Sequence, residues 1–171
     1  GRRDHPNKAA LLWSLGCAIC AFLGAGVLGF LHTLSGVNYY THGTQVTAAH
    51  GHLAFYGAYA MVNLAMFSFA MPQLLGRAPY NQRLNIASFW TITGGVILMS
   101  LALTFAGILQ THLERVLGME YMDVQQQLTL FYWIRLAGGA ITMIGFLMYL
   151  VALLVPNLET AGQPAALKPA E

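Results

Sequence analysis

The feature that most constrains this chain is a long stretch without formal charge. Residues 9–76, between Lys8 and Arg77, contain no Asp, Glu, Lys or Arg, and the same holds for residues 84–113 and 136–158. Charged residues make up 8% of the 171-residue chain, against about 25% in ordinary globular domains. A water-soluble fold cannot cover its surface with so little charge. The sequence therefore predicts an integral membrane protein.

Four segments are long enough to cross a bilayer, whose hydrocarbon core of about 30 Å needs about 20 mostly apolar residues in a helix. They cover residues 9–31, 46–71, 84–109 and 128–155. The apolar runs are continuous rather than alternating, which favours helices over a β-barrel. The predicted fold class is therefore all-α, with four transmembrane helices.

The two ends of the chain carry separate expectations. Residues 1–8 are expected to form a short N-terminal stub, and residues 156–171, which contain three prolines and a glycine, a flexible tail. The chain starts without Met, and its first apolar run is too long for a signal peptide. We therefore expect it to begin partway through a longer protein.

The positive charges predict an orientation in the membrane. With four spans, one side would hold most of the cations, namely Arg2, Arg3, Lys8, Arg77, Arg83 and Lys168. The loops on the other side, residues 36–45 and 110–127, contain a single Lys or Arg, which is Arg115. Cytoplasmic loops are enriched in Lys and Arg. Both termini are therefore predicted to lie in the cytoplasm, and these two loops outside it.

Several glycines resemble a nucleotide-binding motif but favour another interpretation. Residues 24–29 read GAGVLG, yet no strand precedes them and no acidic residue follows at the required distance. Small residues inside a span usually allow two helices to approach closely. We expect Ala21, Ala25 and Gly29 to form such a face, and the pairs Gly94–Gly95 and Gly138–Gly139 to act similarly.

His50 and His52 are the most informative residues of the second span. Ionisable residues inside a span are costly and usually functional, and neutral imidazole is a common ligand of iron. Residues two apart on a helix point about 200° apart, so the two rings cannot chelate one ion. They can bind two hemes, one on each side of the helix. Tyr56, Tyr59 and Asn63 are expected to continue a polar stripe below His52, and the alternative is that both histidines only hydrogen-bond to neighbouring helices.

The surroundings of these histidines closely resemble the large, cytochrome b subunit of bacterial nitric oxide reductase, in particular the cytochrome c-dependent form. The similar stretches are 32–34 (HTL), 38–45 (NYYTHGTQ), 48–59 (AAHGHLAFYGAY), 69–72 (FAMP) and 131–135 (FYWIR). The resemblance covers nearly the whole chain but only the C-terminal four of that subunit's twelve helices. It implies that the four spans form part of a twelve-helix bundle of the heme-copper oxidase type.

The resemblance also implies roles for both histidines. His50 matches the proximal ligand of the high-spin heme b, and His52 matches one axial ligand of the low-spin heme b. The family places a non-heme iron beside the high-spin heme, but none of that iron's ligands matches a position here. The second ligand of the low-spin heme is also absent. We expect these ligands on upstream helices, and we do not expect the chain alone to be active.

The implied reaction converts two NO to N2O and water with two electrons and two protons, in a multi-pass protein of the bacterial inner membrane. The implied partners are the remainder of the cytochrome b subunit, a membrane-anchored cytochrome c subunit, nitric oxide and the lipid bilayer, with no nucleic acid. The alternatives are a cytochrome b that only transfers electrons, a related terminal oxidase subunit, and a heme-free membrane scaffold or transporter.

Arg135 is a further candidate site residue. It is expected about seven residues inside the fourth span, at a depth similar to that of His50 and His52. Guanidinium binds carboxylate in a bidentate fork and stays charged. We therefore predict that Arg135 neutralises a heme propionate. The alternatives are that it extends to the outer interface or pairs with Glu120 or Asp123.

Overall fold

The computed structural model describes His5 and residues 7–155. The regular structure of this part is helical, without strands. Six helices follow one another: α1 (Lys8–Thr33), α2 (Ser35–Thr41), α3 (Gln45–Leu74), α4 (Gln82–Val116), α5 (Tyr121–Gln127) and α6 (Thr129–Leu154). The predicted tail, residues 156–171, and most of the predicted stub, residues 1–4 and 6, lie outside the described residues.

Four of the helices, α1, α3, α4 and α6, are long and apolar enough to cross a membrane, so the predicted fold class is confirmed. The first three predicted segments lie within these helices, and the fourth extends one residue beyond α6 at each end. The largest difference is at α4, which continues to Val116, well into the predicted loop 110–127. The predicted outer loops also contain the short helices α2 and α5.

Local sequence explains where the long helices begin and end. The side chains of Asn7, Thr44 and Asn81 accept hydrogen bonds from the first backbone N–H groups of α1, α3 and α4. Asn and Thr are among the residues that satisfy these otherwise unpaired donors best. Gly76 (φ +60°) follows α3 and Gly118 (φ +67°) follows α4, in the left-handed conformation that commonly ends a helix.

Helix α4 is the centre of the bundle. About half of its apolar stretch is buried (50%), against 22–28% in the other three spans. It packs against α6, α3 and α1, and α1 also packs along α3. The core around it contains side chains from all four spans, among them Trp13, Met61, Phe89, Ile92 and Tyr149. The outer faces keep many large apolar side chains exposed, as expected for a protein of the membrane.

Glycines allow close backbone contacts at several helix pairs, among them α4 with α6 and α1 with α3. A Cβ atom added to Gly95 of α4 would lie 2.6 Å from the carbonyl oxygen of Gly138 in α6. One added to Gly24 of α1 would lie 2.6 Å from the backbone nitrogen of Ala54 in α3, and one added to Gly57 of α3 would overlap the backbone of Ala21. The predicted close packing at Gly95 and Gly138 is therefore confirmed.

The predicted small-residue face of α1 is partly wrong. Ala21 and Gly29 do lie at the contact with α3, but Ala25 is exposed and Gly24 is buried there instead. The reason is that Phe22–Leu28 is a π-helical segment. Its wider turns hold more residues than α-helical turns, so a spacing of four no longer marks one face.

A buried hydrogen-bond network joins all four spans at one end of the bundle, which we call the Asn7 end. Asn85 of α4 accepts a hydrogen bond from Trp13 Nε1 (2.7 Å) and donates one to Ser68 Oγ (3.0 Å). Ser68 Oγ also pairs with the Tyr149 hydroxyl (3.0 Å), and Asn7 Nδ2 donates to the Ser68 carbonyl (2.7 Å). The network therefore fixes the relative depth of the four spans.

Candidate functional site

His50 and His52 lie near the start of α3, at the opposite end of the bundle, which we call the His50 end. Gly43 turns the chain at a φ of +76°, and Thr44 then caps the helix that begins at Gln45. The two histidines are therefore one to two turns inside α3. Both side chains are half-buried.

The His50 ring faces helix α1. Its Nδ1 atom donates a hydrogen bond to the carbonyl oxygen of Gly24, at 2.9 Å. Gly24 belongs to the π-helical segment of α1 and has no side chain, which is why α1 and α3 come close enough for this bond. Gly29 of α1 lies along the edge of the same ring, since a Cβ atom added there would be 3.5 Å from His50 Cε1.

The His52 ring is held by its own helix. Its Nδ1 atom donates to the carbonyl oxygen of Ala48, one turn earlier, at 2.8 Å. His50 is thus oriented by a neighbouring helix and His52 by α3 itself. The two rings have separate surroundings, as two groups bound on one helix require.

These hydrogen bonds leave both rings fit to bind iron. A carbonyl oxygen can only accept a hydrogen bond, so Nδ1 carries a proton in each ring, and in the neutral form of the ring Nε2 keeps its lone pair. No hydrogen bond to either Nε2 atom occurs within the described part of the chain. A neutral imidazole with its Nδ1 hydrogen on a carbonyl is the usual form of a histidine that ligates a metal.

The polar stripe expected below His52 does not form as one face. Tyr56 is buried, and its hydroxyl pairs with Thr93 of α4 at 2.7 Å. Tyr59 is instead 63% exposed, and exposed Asn63 bonds to the Tyr59 carbonyl oxygen. A second π-helical segment, Tyr56–Ala60, separates these residues and changes the direction in which later side chains point.

Arg135 lies on α6, beyond the central helix α4. It is exposed and lines an open groove of about 750 Å³ together with Tyr132, Trp133 and Met99. Within the described residues its side chain forms no ion pair with Glu120 or Asp123 and does not contact His50 or His52. One turn before Arg135, α6 is linked to α3, the helix that carries His50 and His52. There the side-chain amide of Gln45 donates a hydrogen bond to the Tyr132 hydroxyl at 3.1 Å.

The structure reveals two residues of the site that the sequence reasoning did not single out for a role. Gly24 supplies the carbonyl that orients His50, and His32 places its ring against that of His50. A histidine near the end of an uncharged span was a visible signal for His32. Gly24 was visible as the first glycine of the GAGVLG stretch, but its bond to His50 could not be predicted, because it depends on the approach of another helix.

In the described part of the chain, no group of three or more His, Cys, Asp or Glu side chains is close enough to hold a metal ion. His50 and His52 therefore do not belong to a multi-residue metal site within the described residues. Any iron that they bind needs its other ligands from a macrocycle or from elsewhere.

Comparisons with known proteins agree on the class of protein. The chain is 52% identical over 157 residues to a nitric oxide reductase subunit of Stutzerimonas stutzeri, an alignment that covers 87% of this chain and 33% of the relative. It is 29% identical to a cytochrome c oxidase subunit 1 homolog of Azorhizobium caulinodans and 30% identical to a bacteroid homolog of Bradyrhizobium diazoefficiens. Those alignments cover 88% of this chain and 30% of each relative.

The chain thus spans about a third of the length of these relatives. The family model described as cytochrome c and quinol oxidase polypeptide I matches residues 1–141, most of the sequence. Together with four apolar spans and a half-buried histidine pair prepared for metal ligation, this match shows that the chain belongs to the cytochrome c and quinol oxidase polypeptide I family.

Proposed function

We propose that this chain is the heme-ligating, C-terminal part of the cytochrome b subunit of a bacterial nitric oxide reductase, which reduces two NO to N2O and water with two electrons and two protons. The observation that carries the proposal is the pair His50 and His52, each with Nδ1 on a backbone carbonyl. The identity of 52% to a nitric oxide reductase subunit, against 29–30% to two oxidase homologs, favours NO as the substrate.

In this proposal His50 binds the iron of the high-spin heme b and His52 that of the low-spin heme b. When bound, the hemes supply electron transfer and an iron at which NO binds. The chain's own contribution is to hold two neutral imidazoles in a defined direction. The carbonyl oxygens of Gly24 and Ala48 fix the tautomer of each ring and make Nε2 a stronger donor to a metal.

The remaining parts of the enzyme would come from outside this chain. The ligands of a non-heme iron and the second ligand of the low-spin heme would lie in the remainder of the cytochrome b subunit. A membrane-anchored cytochrome c subunit would supply the electrons. The distribution of Lys and Arg supports a position in the inner membrane with both termini in the cytoplasm, so that the His50 end faces the periplasm and the electron donor.

Arg135 is assigned in the same proposal to a heme propionate. It is a cation near the His50 end of α6, and the turn before it is tied to the start of α3 through Gln45 and Tyr132. Its guanidinium has no ion pair within the described residues, so it remains available for a carboxylate supplied by a cofactor.

The test replaces each histidine in the intact complex. His50→Ala should remove the high-spin heme signature and abolish NO turnover, because no other side chain of α1 or α3 occupies the same position. His52→Ala should remove the low-spin heme signature, seen in the reduced absorption spectrum. His112→Ala, a change at an exposed histidine at the end of α4, is the control. Spectra unchanged by both α3 substitutions would refute the proposal.

A terminal oxidase is the second candidate, supported by the family model and by the two oxidase homologs. The two candidates differ in the metal beside the high-spin heme. Metal analysis of the purified complex separates them, since iron without copper indicates NO reduction and copper indicates oxygen reduction.

A further inference from the structure

A second imidazole lies flat against the proposed heme ligand. The ring of His32, in the last turn of α1, stacks on the ring of His50 with centroids 5.0 Å apart and planes 25° apart. The other aromatic contacts among the described residues are edge-on or tilted. This stacked pair is therefore a distinct feature of the site.

The His32 ring is itself held in place by α1. Its Nδ1 atom donates to the carbonyl oxygen of Leu28, one turn earlier, at 2.8 Å. Its Nε2 atom is buried and has no hydrogen-bond partner within the described residues. The position of the ring thus depends on one backbone bond and on the stack with His50.

The His50 ring needs such a contact to have one orientation. Its hydrogen bond to Gly24 restrains the Nδ1 atom, but coupled changes of the two side-chain torsions χ1 and χ2 can still tilt the ring plane while the bond is kept. Gly29 lies beside one edge of the ring but has no side chain to press on it. A Cβ atom added to Gly29 would be 3.5 Å from His50 Cε1. The face-on contact with His32 resists that tilt, because the second ring lies against one face of the His50 imidazole.

We propose that His32 is a positioning residue for the high-spin heme site: its ring fixes the plane of the His50 imidazole, and thereby the orientation of that ligand at the iron. The residues that orient a metal-bound histidine tune the bond between the metal and the ring. This inference rests on the proposed function, because it takes His50 to be a heme ligand.

The test is resonance Raman spectroscopy of the reduced, intact complex, which measures the iron–histidine stretching band of the high-spin heme. His32→Ala should shift and broaden this band, since the His50 ring then samples several orientations. His32→Phe keeps a flat ring against His50 but lacks the bond to Leu28, so its band should lie closer to wild type in position and width than that of His32→Ala. Retained low-spin heme absorption identifies folded complexes.

His42→Ala is the matched control, because His42 is an exposed histidine in the segment that leads into α3. It should leave the band unchanged. A His32→Ala band identical to wild type would overturn the role of His32, and so would a His32→Phe band as broad as that of His32→Ala.

His50→Gly distinguishes a failure of this inference from a failure of the proposed function. If the band persists in that variant, it does not report His50, and the heme assignment is wrong. If the band is lost in His50→Gly but is identical in wild type and His32→Ala, the heme assignment stands and the role of His32 alone is refuted.

Discussion

Three histidines at the His50 end each combine a backbone tether at Nδ1 with an Nε2 atom that has no hydrogen-bond partner within the described residues. His32, His50 and His52 each donate Nδ1 to a carbonyl oxygen, at 2.8–2.9 Å. Because the acceptor is a backbone carbonyl, no additional polar side chain has to be buried in the membrane, where such groups are energetically unfavourable. It also leaves Nε2 as the acceptor in every ring. The arrangement explains how three histidines are held in place in an uncharged segment.

Arg135→Gln should lower the midpoint potential of one heme. Removing a nearby positive charge favours the oxidised, ferric state, and a screened charge of this kind contributes on the order of 1 kcal/mol, or tens of millivolts for a one-electron couple. A redox titration of the intact complex measures the change.

Arg115→Gln is the control for this prediction, since it removes the same charge from an exposed residue at the end of α4. That variant should leave both heme potentials unchanged. If Arg135→Gln also leaves both heme potentials unchanged, the Arg135 guanidinium does not pair with a heme propionate.

At the scale of helices, the contact between α1 and α3 decides whether His50 is oriented. Gly24→Ala would place a Cβ atom 2.6 Å from the backbone of Leu53 and Ala54, so the two helices would have to separate. Overpacking of this kind costs about 1–3 kcal/mol. We expect a lower melting temperature of the complex and partial loss of the high-spin heme, measured by absorption spectroscopy.

Gly26→Ala is a matched control within the same π-helical segment. An added Cβ atom there meets the Phe22 ring at 3.6 Å and the Ala21 carbonyl oxygen at 4.0 Å, which are ordinary contacts within its own helix. Since alanine favours helices over glycine by about 1 kcal/mol, this variant should be neutral or slightly more stable. Equal effects of the two substitutions would show that close approach at Gly24 is not what matters.

At the scale of the whole molecule, the two ends of the bundle have different tasks. The Asn7 end is joined by side-chain hydrogen bonds among all four spans, with Asn85 fully buried between Trp13 and Ser68. The His50 end carries the half-buried imidazoles. A rigid network at one end can hold the spans together while the other end accepts bulky groups.

Asn85→Leu should destabilise the whole bundle. The change leaves Trp13 Nε1 without an acceptor, and an unsatisfied buried donor costs about 1–3 kcal/mol, with smaller values common between membrane helices. The melting temperature in detergent should fall, while the potentials of the retained hemes stay the same, because the network lies at the opposite end.

Thr91→Val provides the comparison on the same helix, since the Thr91 hydroxyl bonds only to the Ala87 carbonyl of its own turn. That variant should melt close to wild type. An Asn85→Leu protein as stable as Thr91→Val would mean that the network does not hold the spans together.

Much of the fold and part of the site follow from local sequence. Four spans could be predicted because burial in lipid requires about 20 apolar residues in a row, and the chain supplies four such rows. His50 and His52 could be selected because histidines are unusual in an uncharged segment. The caps Asn7, Thr44 and Asn81 and the glycines Gly76 and Gly118 set the ends of helices for equally local reasons.

The rest was decided by tertiary structure. The π-helical segment Phe22–Leu28 moved the contact face of α1 from Ala25 to Gly24, and the segment Tyr56–Ala60 separated Tyr56 from Tyr59. A spacing rule assumes 3.6 residues per turn throughout, so it fails where packing widens a turn. The pairing of His50 with Gly24 and His32 joins residues of two spans. Such a pairing depends on how closely two backbones approach, which no pattern within either span encodes.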